Sequence, residues 1–184
     1  VKSRIPKRFG FDPIRDIHVL CPMNRGGIGA RSLNVALQAA LNPAGDRKVE
    51  RFGWVFAPKD KVMQIENDYD KEVYNGDVGY VETVAADGKT LFVRFEEPDP
   101  RVVRYEAADQ DDLVTAWAIT IHKSQGSEYP AVIVPLHTAH FMMLRRNLVY
   151  TAVTRGKKLV VLIGSRRALT IALSDDTVTP RFGR

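Results

Sequence analysis

Two short stretches carry side chains suited to gripping phosphates. TIHKSQGSE, residues 120–128, sets a hydroxyl (Thr120), an imidazole (His122), an ammonium (Lys123), a second hydroxyl (Ser124), an amide (Gln125) and a glycine (Gly126) close together, with Glu128 just beyond. Thr120, His122, Lys123 and Ser124 can each donate a hydrogen bond to a phosphate or sugar oxygen; Gly126 permits close backbone approach, and Glu128 can accept from a hydroxyl. VYTAVTRGKK, residues 149–158, places Arg155 between a helix-like run and an apolar strand-like one. A guanidinium is permanently charged, planar and forked, so it suits a phosphoryl group gaining charge in a transition state. Each stretch also has a plainer reading. Polar runs of this kind form ordinary caps and turns, and an arginine at a helix end stabilises the carbonyl dipole.

The element that usually completes a nucleotide site is harder to find. TVAADGKT, residues 83–90, ends in Gly-Lys-Thr as a phosphate-binding loop does, but the position that should hold the first glycine is Thr83. That loop must also lead from a buried parallel strand into a helix, whereas LFVRFEE follows with strand character. A hairpin turning at Asp87-Gly88 is the better reading. No apolar strand ends in the Asp-Glu pair that would hold magnesium, so the chain reads as having no complete ATP site.

Several elements must position these residues. IHVLCPM (17–23) is an apolar run ending at Pro22, as a buried strand would. NRGGIG follows, and then ARSLNVALQAALN, with Leu33, Leu37, Ala40 and Leu41 at helical spacing and Pro43 just past its end. KVMQI (61–65) reads as another strand. From Val78, VGYVETVAADGKTLFVRFEE alternates apolar and polar residues around the turn, and RVVRYEAADQDDL continues in that manner. Residues 78–113 are therefore expected to form a small antiparallel β module, with Tyr80, Phe92, Phe95 and Tyr105 in its core or one of them exposed against a base. AVIVPL (131–136) and KLVVLIG (158–164) read as buried strands, MMLRRNLVYTAVTRG as a helix closed by Gly156, and SRRALTIALS as a last helix with Ser165 as N-cap. The tail after Asp176 reads as frayed. Uniformly apolar strands separated by helices indicate a parallel sheet covered on both faces, and in such sheets binding groups gather in loops at strand ends.

Composition bounds the rest. The 184 residues, 45% of them hydrophobic, can bury one core and a small second module. No apolar stretch approaches membrane-spanning length, and VKSRIPKRFG lacks the apolar core of a signal peptide. With Val at its start, the chain reads as a trimmed piece or fragment. The single cysteine, Cys21, excludes an internal disulfide and any multi-cysteine zinc site, and it reads as a packing residue of a cytoplasmic protein. HTAH (137–140) offers two imidazoles without further ligands nearby, too few for zinc. Trp54 and Trp117 could stack on bases but read as core. Between Asp60 and Asp112 fifteen acidic residues face six basic ones, whereas the remainder holds seven acidic and twenty-one basic. A basic body interrupted by an acidic insert fits a polyanionic partner.

Taken in order, these blocks resemble a known family. AWAITIHKSQGSEYPAVIVPL resembles motif V of superfamily 1 helicases, and RRNLVYTAVTRGKKLVVLIG resembles motif VI. RDIHVLCPMNRGGIGARSLNVALQAALNP is similar to the motif IV region of the RecD-like branch, and NDYDKEVYNGDVG matches the same branch just ahead of its inserted barrel of the Src-homology-3 type. The four blocks cover nearly the whole chain from Phe9 to Gly164. The chain is identified as resembling the C-terminal motor domain of a RecD-like helicase, the family of exodeoxyribonuclease V alpha chains with a UvrD-like C-terminal domain.

The resemblance implies an α/β fold: a RecA-like parallel sheet with helices on both faces, interrupted by a small antiparallel β-barrel. The motor domain would be discontinuous, residues 1–77 and 114–184, around an insert at 78–113. It implies a helicase moving 5′ to 3′ on single-stranded DNA and using ATP and magnesium, both bound mainly by a first RecA-like domain that would precede Val1. Arg155 would be the catalytic arginine finger, with Arg25, Gly126 and Glu128 also near the nucleotide. Thr120, His122, Lys123 and Ser124 would face the DNA, Gln125 would couple the two sites, and no metal ligand is implied here. The partners implied are single-stranded DNA, the N-terminal RecA-like domain and subunits of a nuclease–helicase complex; no membrane is implied. The alternative is a stand-alone module binding single-stranded DNA or a partner protein, without ATPase activity.

Overall fold

The computed structural model describes residues 1–96 and 99–174; the tail read as frayed lies outside them. In chain order the elements are α1 (Arg4–Phe9), β1 (Ile17–Cys21), α2 (Ala30–Leu41), β2 (Val49–Arg51), β3 (Trp54–Phe56), β4 (Lys61–Gln64), β5 (Val78–Val84), β6 (Leu91–Phe95), β7 (Arg101–Tyr105), β8 (Leu113–Thr115), β9 (Ala118–Thr120), β10 (Tyr129–Leu136), α3 (Arg146–Val153), β11 (Gly156–Gly164) and α4 (Arg166–Ser174). They divide into two compact units. One joins Val1–Ile14 to Leu33–Ala118, and the other joins Arg15–Ser32 to the chain from Ile119 onward.

The second unit is built on a four-stranded sheet in the order β11-β10-β1-β9. β1 runs parallel to β10, with Ile17 opposite Ala131, and β10 runs parallel to β11, with Ala131 opposite Leu159. All five residues of β1 are buried, the four apolar ones as a strand covered on both faces requires and His18 with its ring stacked on Tyr129. Cys21 is fully buried, and burial pushes its thiol up to about 12, so it packs and is not a thiolate nucleophile. α4 begins where expected, with the Ser165 hydroxyl accepting from Ala168 N at 3.1 Å. Two expectations change. β11, read as buried, is an edge strand whose Leu162 and Ile163 are exposed. The helix expected over MMLRRNLVYTAVTRG is confined to α3; Thr138–Met143 winds as a 3-10 helix, and Thr154 caps α3 before Gly156 opens β11.

The other unit holds a five-stranded antiparallel sheet in the order β7-β6-β5-β4-β8, beside a β2–β3 hairpin. This sheet reaches outside residues 78–113, because β4 pairs with β5 on one side and β8 on the other. A fully buried four-residue strand reads alike in a parallel sheet and in the middle of an antiparallel one, so KVMQI gave no sign of its partners. Alternation is obeyed within the sheet. Phe95 and Tyr105 are buried with Val81, Leu91, Val93 and Val103, while Tyr80 and Phe92 are half-buried on the other face. Trp117 is buried and Trp54 packs against this core. Gly-Lys-Thr of the false phosphate loop forms the β5–β6 turn: Asp87 accepts from the amides of Lys89 and Thr90 at 2.8 and 3.0 Å and from the Thr90 hydroxyl at 2.8 Å.

The inward face of α2 is partly polar. Asn34, Gln38 and Asn42, spaced by four, lie on one stripe. Asn34 donates to Ala118 O at 2.7 Å and accepts from Ala118 N at 3.0 Å, replacing a strand neighbour. Gln38 and Asn42 donate to the Asp60 carboxylate at 2.5 and 2.7 Å, which also accepts from Ala57 N at 2.7 Å. Asp60 is fully buried, and burial outweighs these bonds, raising its pKa to about 6.

Candidate nucleotide and DNA contact site

The residues singled out from the sequence lie in the second unit, distributed along its parallel strands. Ile121 N donates to Cys21 O at 2.9 Å, so the turn after β9 sits at the carboxyl end of β1. There Thr120 begins a tight turn: its hydroxyl accepts from Lys123 N at 3.4 Å, and His122–Ser124 form one turn of 3-10 helix. His122 and Lys123 are exposed on it. Ser124 is not. It is fully buried, and its hydroxyl donates to Ile121 O at 2.7 Å. The expectation that Ser124 faces DNA is corrected, because its one proton already closes the turn beneath Lys123.

The chain then crosses to the opposite end of the sheet. Gly126 takes φ +87°, a conformation that side chains resist, and Gln125 is exposed beside it. Tyr129 starts β10 opposite Gly156, so Ser127 and Glu128 meet the residue just before β11, which is Arg155. Three donors of the Arg155 guanidinium are engaged: Nη1 to Ser127 O at 3.1 Å, Nε to Thr151 O at 3.2 Å, and Nη2 to the Thr154 hydroxyl at 3.1 Å. Its carbonyl accepts from Tyr129 N at 2.8 Å. Beneath it Tyr129 stacks on His18, with ring centroids 3.9 Å apart. Glu128 pairs with Lys157 at 3.5 Å, both well exposed, a contact of little energetic weight. Arg155, half-buried and fixed by both stretches, still has an N–H free on each terminal nitrogen.

Arg25 is separated from this cluster. It stands exposed in the loop after β1, at the end that carries Thr120, His122 and Lys123, whereas Arg155 lies before the start of β11. Arg25 and Arg155 thus leave the parallel sheet at opposite strand ends, the length of β1, roughly 17 Å, lying between them along the backbone. Within that loop a Cβ on Gly29 would clash with Arg25 O, and Ser32 Oγ donates to Gly26 O at 2.8 Å. His140, buried, donates from Nε2 to Ile28 O at 3.2 Å and accepts at Nδ1 from His137 N at 3.3 Å. Burial lowers its pKa, keeping the neutral ring that both bonds require. The two histidines of HTAH thus brace a loop and cap a helix, and among the described residues no group of three or more His, Cys, Asp or Glu gathers to hold a metal. No helix among them is long and apolar enough to cross a membrane.

Comparison with known proteins bears on the family. A family model described as the SH3 domain of ATP-dependent RecD-like DNA helicases matches residues 33–95, and one described as the UvrD-like helicase C-terminal domain matches residues 115–163. The chain is 42% identical over 156 residues to the ATP-dependent RecD2 DNA helicase of Deinococcus radiodurans, covering 85% of this chain and 21% of that protein. It is 31% identical over 147 residues to the RecBCD enzyme subunit RecD of Haemophilus influenzae, covering 77% and 20%. It therefore spans about a fifth of the length of the curated relatives it matches. Among solved structures, Pif1 helicase from Bacteroides in complex with ADP-AlF3 and single-stranded DNA superposes with a TM-score of 0.58 at 19% identity, over 93% of this chain and 44% of that one. Pif1 helicase from Candida albicans gives the same score and identity over 86% and 47%. At that identity the likeness shows the fold.

The parallel sheet with its helices and the matched domain make this a C-terminal domain of the superfamily 1 helicase class. Within that class, the SH3 domain and the sequence relatives place the chain with the RecD-like helicases.

Proposed function

We propose that this chain is the C-terminal half of an ATP-dependent motor that moves 5′ to 3′ on single-stranded DNA, with Arg155 as its arginine finger. The observation that supports this most directly is the bond from Arg155 Nη1 to Ser127 O. It ties Arg155, which follows α3, to the segment that leads away from the turn bearing the proposed DNA contacts, Thr120, His122 and Lys123. Gln125, midway along that turn, is the coupling residue. The remaining N–H groups of Arg155 and the Gly126–Glu128 backbone suit the outer phosphates of a nucleotide held mainly by a preceding RecA-like domain. Magnesium, held with ATP by that preceding domain, would supply neutralisation of phosphate charge. On this chain's side, Arg155 offsets charge growing on the γ-phosphoryl group, a contribution of about 10³- to 10⁵-fold in rate for such arginines.

Linkage supplies the motion. If Arg155 reaches ATP only when the two motor domains close, ATP favours closure and hydrolysis releases it. Contacts to backbone phosphates make DNA binding sequence-independent and salt-sensitive. We further propose that the motor domain is discontinuous around the β module, that the parent works in the cytoplasm, and that it can assemble into a nuclease–helicase complex. The test is DNA-stimulated ATP hydrolysis by this chain joined to a RecA-like domain carrying a phosphate loop. Activity that appears only in the joined protein and collapses in Arg155→Ala supports the reading. A joined protein that binds DNA but hydrolyses no ATP refutes it.

A further inference from the structure

A cleft of about 230 Å³ lies between the His122–Ser124 turn and α3. We propose that it holds one nucleotide of the single strand, its phosphate against Arg145 and His122 and its base over Met142 and Met143. This rests on the reading that the turn at residues 120–123 faces DNA, and it extends that site to residues given no role so far.

Size, lining and surroundings all favour this occupant. The cleft exceeds the ~30 Å³ share of a single water and falls short of the ~300–1,000 Å³ typical of whole small-molecule sites, so it fits a segment of a polymer better than a complete free cofactor. Its lining contains the Arg145 guanidinium, the His122 imidazole, and the amides of Gln125 and Asn147, but no carboxylate. Arg145 supplies a permanent charge with a planar fork for a phosphate, and the two amides can donate to and accept from a base edge. Met142 and Met143 provide polarizable thioethers, which make favourable contacts with aromatic rings.

Exposure points to a missing cover. Met142 is 77% and its neighbour Phe141 64% exposed, so large apolar groups stand in water beside a cationic cleft, a combination typical of an interaction site. The charge around it selects a polyanion: from Thr120 to Ser174 the only acidic residue is Glu128, against Lys123, Arg145, Arg146, Arg155, Lys157, Lys158, Arg166 and Arg167. The cleft also extends the proposed track in a sensible direction. It starts at His122 and reaches Thr151, whose carbonyl holds Arg155 Nε, so a strand seated there lies against the helix that ends just before the finger.

The test uses this chain with a fluorescein-labelled dT10, read by anisotropy over a salt series, alongside photocrosslinking of a 5-iodouracil oligonucleotide mapped by mass spectrometry. Arg145 and Met142 are exposed, so their replacement leaves the fold intact, and Arg145→Lys serves as the charge-retaining comparison. Arg145→Ala should weaken binding about fivefold or more and lower the log–log salt slope by about 0.7. Arg145→Lys should restore the slope, Met142→Ala should weaken binding without changing it, and crosslinks should fall within residues 142–148. If Lys123→Ala weakens binding while Arg145→Ala and Met142→Ala stay within twofold and crosslinks avoid the cleft, the proposal is overturned and the turn's DNA contact survives. If polyphosphate competes as well as dT10 and Met142→Ala has no effect, the base-holding role is overturned. Absence of dT10 binding by the native chain at low salt overturns both the cleft and the reading beneath it.

Discussion

Replacing Arg155 by alanine separates a structural role from a catalytic one, because the two predict effects of different size. The guanidinium donates three hydrogen bonds, to Ser127 O, Thr151 O and the Thr154 hydroxyl, at 3.1 to 3.2 Å. Each is worth about 0.5–1.5 kcal/mol net. The site is only half-buried, so water can take over the freed carbonyls, and the whole loss should stay near ~2 kcal/mol. For a chain of this size that is a fall of roughly 4–8 °C in melting temperature. An arginine finger contributes about 10³- to 10⁵-fold in rate, equivalent to roughly 4–7 kcal/mol of transition-state stabilisation. The assay is DNA-stimulated ATP hydrolysis at saturating ATP by the chain joined to a phosphate-loop domain, with a melt of the same preparation. Arg155→Ala should lower kcat at least a thousandfold while the folded fraction at the assay temperature stays near one. Arg155→Lys should also fail, since one ammonium cannot hold Ser127 and Thr151 while reaching a phosphate. A kcat within tenfold of native in a folded Arg155→Ala protein would refute the reasoning.

Other outcomes can be checked on the chain itself. Lys123→Ala should weaken binding to single-stranded DNA and lower the salt slope by about 0.7. Ser124→Ala should instead cost about 1 kcal/mol of stability by removing the buried bond to Ile121 O, leaving the salt slope intact. Asp60, with its pKa raised from 3.8 to about 6, contributes stability that is fully present below 3.8 and lost as pH rises through about 6, up to ~3 kcal/mol. Urea unfolding of native and Asp60→Asn chains should therefore show a difference that shifts toward the native protein on acidification; a pH-independent difference counts against this. His140 acts in the opposite sense. Its pKa is depressed below 6.5 by burial, so its contribution is present above 6.5 and lost as pH falls below it. His140→Phe should remove that acid sensitivity, and amide exchange near Ile28 should report it in the native chain.

Much of this architecture is legible in the sequence, for identifiable reasons. A short, mostly apolar run such as IHVLC, stopped by Pro22, suits a strand covered on both faces, and β1 is buried throughout, His18 included. Alternation around Asp87-Gly88 dictated the β5–β6 hairpin, which explains why Gly-Lys-Thr there is a turn. The bond from Arg155 to Ser127 O, 28 positions apart, brings the two polar stretches into contact, which neither stretch shows by its own spacing. Contacts between chain neighbours follow from spacing, because a turn of three or four residues has few conformations.

Tertiary structure decided what spacing leaves open. Whether a serine in a 3-10 turn points to solvent or back to a carbonyl depends on what packs over it, and Ser124 is covered. Which end of a parallel sheet a loop occupies depends on strand direction, so Arg25 and Arg155, both arginines after apolar runs, lie at opposite ends. β4 could join either sheet by its composition, and only its partners β5 and β8 fix the choice. The polar stripe Asn34, Gln38 and Asn42 looks like a solvated helix face, yet it meets the Ala118 backbone and the buried Asp60. Its four-residue period was visible; that it faced inward was not, because hydrogen-bonding partners 18 to 84 positions away along the chain exist only once the fold brings them near.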